Sequence, residues 1–179
     1  WVGELARGRC LDLFAYRGAF ALQMAPKASE LRAVEWEQAS CAAMERNFER
    51  SGLQAEIVEA NAFDWMRDEL ARGGTYDTIV LDPPPFVSSR AALDSGSRAY
   101  KEVNLRALQL AAPGALLFTF SHSYLLHAED FEALVVEAAN DARRDVQVLR
   151  RLSAGVDMPE RLGMSESRTL TGLALRVLA

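Results

Sequence analysis

Four short segments combine residue types whose spacing could do chemistry. The first is Asp12-Leu-Phe-Ala-Tyr-Arg-Gly18, with Asp12, Phe14, Tyr16 and Gly18 as its candidate ligand-facing residues. A glycine between a strand and a helix lets backbone approach a ligand, and the helix N-terminus adds free N–H groups. Tyr16 stands where the second-last glycine of a Gly-x-Gly-x-x-Gly loop would be, so a dinucleotide pyrophosphate fits poorly. A plain tight turn explains the segment equally well. The second is Glu35-Trp36, a carboxylate able to accept both hydroxyls of a ribose beside a ring able to cover an adenine. The competing reading is a solvated glutamate next to a half-buried tryptophan. In the third, Asn61-Ala62-Phe63, the amide can read an adenine edge over an apolar floor, or simply cap a helix. The fourth is Asp82-Pro-Pro-Pro-Phe86. Phe86 can stack a flat ring while Asp82 and a proline carbonyl accept hydrogen bonds from an exocyclic amine, and the prolines hold those acceptors in place. Asp82, Pro83 and Phe86 are therefore the catalytic candidates.

Composition narrows the classes to which such segments can belong. The chain has 179 residues, 50% hydrophobic and 25% charged, enough for one domain with a full core. No apolar run approaches a membrane span and no signal peptide opens the chain, so the expected location is cytoplasmic. The net charge of −5 argues against a globally basic nucleic-acid clamp. It is unevenly spread: residues 1–140 hold 13 basic and 20 acidic residues, and residues 141–179 hold 7 and 5. The cluster Arg143, Arg144, Arg150 and Arg151 can touch phosphates, although such a cluster more often forms a solvated face. Cys10 and Cys41 form no Cys-x-x-Cys pair, and only His122 and His127 accompany them, so no metal site is expected. The start at Trp1, without Met, suggests a trimmed or partial protein.

The elements that must position these segments alternate in period. Strands are expected at Cys10–Ala15, Leu31–Trp36, Ala55–Val58, Tyr76–Leu81, Ala115–Ser121, Asp145–Leu152 and Leu170–Val177. Helices are expected at Ala19–Met24, Gln38–Arg50, around Phe63–Leu70, at Tyr100–Ala112 and at Phe131–Ala142. Residues 87–97 read as a loop, and Pro113-Gly114 as a turn. Five strand–helix alternations give an α/β fold, a mostly parallel seven-stranded Rossmann-like sheet with helices on both faces. The last two strands have no helix between them and should form a C-terminal antiparallel hairpin at one edge. Ligands of open parallel sheets bind beyond the strand carboxyl ends, which is where all four segments fall.

Taken together, Asp-x-Phe-x-Tyr-x-Gly at 12–18, Val34-Glu35, Asn47, Asn61-x-Phe63 and Ile79-Val-Leu-Asp-Pro-Pro-x-Phe86 resemble class I S-adenosylmethionine (SAM)-dependent methyltransferases. More narrowly, the chain resembles large-subunit ribosomal-RNA methyltransferases that carry an N-terminal PUA domain and modify cytosine at carbon 5. The likeness continues through Tyr100-Lys-Glu-Val-Asn104, Ala112-Pro-Gly114, Ser121-x-Ser123, Asp141-x-x-Arg144-Asp-Val146 and Gly172–Val177. It implies a methyltransferase catalytic domain over 1–179, with S-adenosyl-L-methionine as cofactor. RNA, expected to be ribosomal, would be held through an upstream domain, and a homodimer is left open. By the resemblance Asp12, Phe14, Tyr16 and Gly18 line the methionine end of the cofactor. Glu35 holds the ribose, Asn61 and Phe63 flank the adenine, and Asp82 sits beside the transferring methyl.

The departures from the family pattern fall where its chemistry is done. Carbon 5 of cytosine is inert until a nucleophile adds to carbon 6. Relatives supply a Cys between two serines; here the triplet is Ser121-His122-Ser123. Asp157-Met-Pro159 and Thr169-Leu-Thr171 replace the family's Asp-His-Pro and Tyr-Leu-Lys. Three readings follow: methylation of a base nitrogen, with guanine the natural candidate; cytosine-5 methylation as in the family; or a cofactor- and RNA-binding module that has lost catalysis. His122 is either a base near the target or a hydrogen-bonding filler beside Ser121 and Ser123, with the second favoured.

Overall fold

In the computed structural model, which describes residues 1–178, each βα unit runs from an apolar strand into a helix that covers one sheet face. Helix α1 (Val2–Leu5) precedes β1 (Gly8–Leu13), α2 (Ala19–Met24), β2 (Ala28–Glu35), α3 (Gln38–Ser51), β3 (Glu56–Glu59) and α4 (Ala62–Ala71). There follow β4 (Tyr76–Leu81), α5 (Leu93–Leu110), β5 (Ala111–Ser121), α6 (Ala128–Ala142), β6 (Val146–Ser153) and β7 (Thr171–Val177). The seven strands lie in the order β3-β2-β1-β4-β5-β7-β6. The first five are parallel, and β7 is antiparallel to both β5 and β6. The expected hairpin is thus present, but β7 is inserted inside the sheet and β6 is the edge.

Period-two alternation sorts the strand residues onto two faces. Leu11, Leu13, Ile79, Leu81 and Leu117 pack with residues of α4, α5 and α6, including Met66, Tyr100, Val103 and Phe131. Cys10, Val80, Leu116 and Phe118 pack with residues of α1, α2 and α3, including Val2, Met24, Met44 and Phe48. The central strands β1 and β4 are covered on both faces, so their run of apolar residues ends only where the chain leaves the sheet. That places Leu13 and Leu81, paired in register, at the lip of a crevice between β1 and β4.

Helix α1 has no counterpart among the expected elements, and two further elements differ from expectation. Helix α5 begins at Leu93, inside the segment read as a loop, and its buried face of Gly96, Tyr100, Val103, Asn104 and Ala107 keeps helical spacing from the start. Gly96 is the reason the serine-rich stretch misleads: a Cβ there would lie 2.6 Å from the Phe86 carbonyl oxygen. It is a helical glycine chosen for close approach, not for a turn. Pro113-Gly114 likewise lies within β5, where Gly114 takes φ +83° and the register against β4 shifts. The proline and glycine make an irregularity in the strand without ending it.

Candidate active site

The carboxyl ends of β1, β2, β3, β4 and β5 enclose a cavity of about 600 Å³. Of the sequence-derived candidates, Phe14, Tyr16, Glu35, Trp36, Asn61, Ala62, Phe63, Asp82, Pro83 and Phe86 line it. Asp12 and Gly18 do not. Gly18 takes φ +81°, and a Cβ on it would meet Met44 of α3 at 2.7 Å, so its close approach is to a helix and not to the cavity. A larger groove of about 1180 Å³ lies elsewhere, beside Ala28–Arg32 at the start of β2 and Gln54–Ile57, remote from the strand carboxyl ends.

The cavity's apolar floor is a trio of phenylalanines. Phe14 meets Phe63 and Phe86 edge-on at 6.2 and 6.1 Å between centroids, and Phe63 meets Phe86 at 5.8 Å. These separations suit edge-to-face packing. Phe14 and Tyr16 both have positive φ, +62° and +49°, which is uncommon for bulky side chains. Glu35 holds that strained loop: its carboxylate accepts the Tyr16 N–H at 2.9 Å, and those of Trp36 and Glu37 at 2.8 and 2.9 Å. The acid is therefore not a free solvated group. It ties the end of β1 to the end of β2. Trp36, by contrast, is 74% exposed at the cavity's rim.

Asn61 does cap α4, its Oδ1 accepting from the Phe63 N–H at 2.9 Å and from Asp64 at 3.4 Å. The capping reading is thus present, and Asn61 still lines the cavity with its amide nitrogen uncommitted by that cap. Three of the four arginines of the C-terminal cluster make separate contacts. Arg144 donates to the Ala111 carbonyl, Arg151 forks onto Glu132, and Arg150 sits over the Trp1 ring.

Asp82 and His122 close the cavity at the ends of β4 and β5, with Nε2 of His122 2.8 Å from Oδ1 of Asp82. The hydrogen bond to Asp82 raises the imidazole pKa above its usual value, and partial burial opposes the rise. His122 does make a hydrogen bond, and its partner is Asp82, an arrangement that either expectation for this residue allows. Ser123 is buried and occupied elsewhere: its Oγ accepts the Val87 N–H at 3.1 Å and shares a hydrogen bond with the Tyr100 hydroxyl at 2.9 Å. Tyr100 in turn lies 4.8 Å from Phe86. This buried network clamps the segment after the prolines to the segment around His122, and no sequence spacing announces it. Ser123→Ala, which orphans the buried Val87 N–H and the Tyr100 hydroxyl, is expected to lower unfolding free energy by about 1–3 kcal/mol in urea titration.

Asp12 lies beneath the cavity, 1% exposed. One oxygen accepts the Ala21 N–H at 2.8 Å, and the other has no partner among the described residues. Burial pushes its carboxyl up to about 8, the Ala21 bond opposing and the charges of Asp82 and Glu35 adding to the rise. A carboxyl whose folded pKa lies above its unfolded value of 3.8 holds a proton that the unfolded chain has released. Its contribution to stability therefore falls as pH rises from about 4 towards 8. Asp12→Asn is expected to flatten that decline and to gain at least ~1 kcal/mol at pH 8, read by urea unfolding across the range. An unchanged slope would show that Asp12 is not the group responsible.

A parallel sheet in this order, extended by an antiparallel β7 and lined at its carboxyl ends by an acid on β2 and an Asp-Pro-Pro-x-Phe turn on β4, defines the class I SAM-dependent methyltransferase fold. The crystal structure of SMU.776 complexed with SAH superposes with a TM-score of 0.82 at 20% identity, over 94% of this chain and 45% of that one. The SAM-dependent methyltransferase from Agrobacterium tumefaciens matches with a TM-score of 0.68 at 20% identity, over 99% and 58%. The family model described as "Conserved hypothetical protein 95" matches residues 1–98, and the chain belongs to that family. In sequence it is similar to "Ribosomal RNA large subunit methyltransferase I" of Shewanella amazonensis, 37% identical over 180 residues, covering 98% of this chain and 46% of the relative. The chain spans about half the length of the curated relatives it matches.

Proposed function

We propose that the chain is the catalytic domain of a SAM-dependent methyltransferase that modifies a base nitrogen in ribosomal RNA. The observation that carries this reading is the Asp82–Phe86 strand end, with its carboxylate paired to His122 in a cavity that no thiol lines among the described residues. Cys10 lies within β1 and Cys41 on α3, both buried.

The residues present fit the proposed cofactor. A cavity of about 600 Å³ with an aromatic floor and a few fixed polar groups suits a nucleoside-sized ligand. Asp12, buried beneath the cavity and holding a proton up to about pH 8, does not line the site and takes no part in these contacts. Glu35 would take the ribose hydroxyls with its remaining lone pairs, Asn61, Ala62 and Phe63 would flank the adenine, and Tyr16 and Trp36 would border the mouth. Phe14 and Phe86 would bound the end nearest the chemistry. When bound, SAM supplies an electrophilic methyl group on a sulfonium. The chain's own part is to orient an acceptor amine against Asp82 and the Pro83 carbonyl and to keep water away with the phenylalanine floor.

A nitrogen acceptor needs no covalent activation, whereas carbon 5 of cytosine needs a thiolate or its equivalent. The similarity to a large-subunit ribosomal-RNA methyltransferase supports RNA as the substrate class. Transfer of tritiated methyl groups from SAM to undermodified ribosomal RNA, followed by nucleoside analysis, tests the reading. N-methylated nucleosides, methylguanosine first among them, are expected. Label in 5-methylcytidine would overturn the nitrogen assignment, and no label at all would favour a binding module without catalysis.

A further inference from the structure

We propose that Nδ1 of His122 accepts the proton released by the acceptor amine, with Asp82 holding the imidazole in place. The proposal rests on the nitrogen-methylation reading above and adds to it a residue with a defined chemical step.

Three observations converge on His122. First, Nε2 is committed to Asp82 at 2.8 Å, and Nδ1 has no protein partner among the described residues. An imidazole that donates Nε2–H to a carboxylate carries its lone pair on Nδ1, so the geometry selects the tautomer able to take a proton. Second, the ring lines the cavity together with Asp82, Pro83 and Phe86, at the strand end where an amine would be held. About a third of the side chain is exposed, enough for a proton to leave afterwards to water. Third, the dyad is preorganised. Ser123, next to His122, is fixed by the Val87 N–H and the Tyr100 hydroxyl, and Asp82 is followed by three prolines. Neither partner has to move to form the pair.

The step balances as follows. The acceptor nitrogen uses its lone pair to bond the methyl carbon as the carbon–sulfur bond breaks, and that bond's electron pair leaves with sulfur as a neutral thioether. The nitrogen, left with a positive charge, gives up one N–H proton to Nδ1 of His122. The resulting imidazolium is stabilised by the Asp82 carboxylate and returns its proton to water. Asp82 is the charged group acting directly on the imidazole, and Glu35 and Glu37 line the same cavity. A neutral imidazole is required, so transfer should increase as pH rises through a value above 6.5 and then level off.

Two measurements on the 179-residue protein test this. The first is ¹⁵N NMR of the two histidines, His122 and His127. The neutral form of His122 should carry its proton on Nε2, and Asp82→Asn should lower the pH at which the ring titrates. A neutral His122 protonated on Nδ1 would overturn the proposal whatever the enzyme's activity. The second is single-turnover transfer of tritiated methyl groups to unmethylated ribosomal RNA between pH 5.5 and 9. His122→Asn is expected to slow transfer by roughly 10²–10⁴-fold and to abolish the acidic limb, with SAM affinity by calorimetry changed less than about threefold. His122→Asn or His122→Gln with a rate within about threefold of wild type, or with the limb intact, would overturn it alone. Absence of transfer by the wild-type protein would overturn the RNA-methylation reading and this step with it.

Discussion

Asp82→Ala is expected to lower methyl transfer by roughly 10²–10³-fold while SAM affinity falls by less than about tenfold, a split measured by single-turnover transfer and calorimetry. The asymmetry follows from where the carboxylate sits. It is at the tip of β4, about a quarter exposed, with its backbone N–H on the Leu13 carbonyl and its Oδ1 on His122. Removing it deletes the acceptor that would orient an amine and frees the imidazole from its only charged partner among the described residues. The residues that would hold the adenosine, Glu35, Asn61 and Phe63, lie on other strand ends and keep their contacts. Asp82→Asn, which can still accept from Nε2–H but carries no charge, should fall between the wild type and Asp82→Ala. Full transfer by Asp82→Ala would remove the active centre from this strand end.

Glu35→Ala should act on the other parameter, weakening SAM binding by about 10²-fold. Three backbone N–H groups converge on this one carboxylate, from Tyr16, Trp36 and Glu37. Hydrogen bonds to a charged acceptor are worth about 1.5–3 kcal/mol each, and the loop they hold contains two bulky residues at positive φ. With the acid gone, Phe14 and Tyr16 are free to leave those conformations, and the floor that Phe14 shares with Phe63 and Phe86 loosens. Loss of the ribose-accepting oxygens adds to that loss of preorganisation. Glu35→Gln keeps one acceptor oxygen but turns the other position into a donor facing an N–H, so it should recover only part of the affinity. An unchanged dissociation constant in Glu35→Ala would show that neither the loop nor the ribose contact governs binding.

The sheet and the four strand ends were legible because local pattern and tertiary placement agree there. Apolar runs such as Ile79-Val-Leu81 stop abruptly at Asp82-Pro-Pro-Pro85, and a parallel sheet brings such stops together at one edge. The errors arise where tertiary contacts override local signals. Gly96, among serines, reads as a loop, yet it lies in α5 because the Phe86–Val87 backbone needs the room. Pro113-Gly114 reads as a turn, yet β4 and β7 hold the flanking residues in one strand. The pairing of His122 with Asp82 spans forty positions, and Tyr100 with Ser123 twenty-three; nothing in local spacing encodes either. Asp12 was legible as a candidate but not as a buried carboxylate below the cavity, since burial depends on α2 folding back to present the Ala21 N–H.

Titration of the protein with SAM by isothermal calorimetry tests the central claim most directly. One site per chain is predicted, with the heat strongly reduced in Glu35→Ala and largely retained in Asp82→Ala. No heat at millimolar protein would contradict the assignment of the strand-end cavity to this cofactor, and with it every step derived from Asp82 and His122.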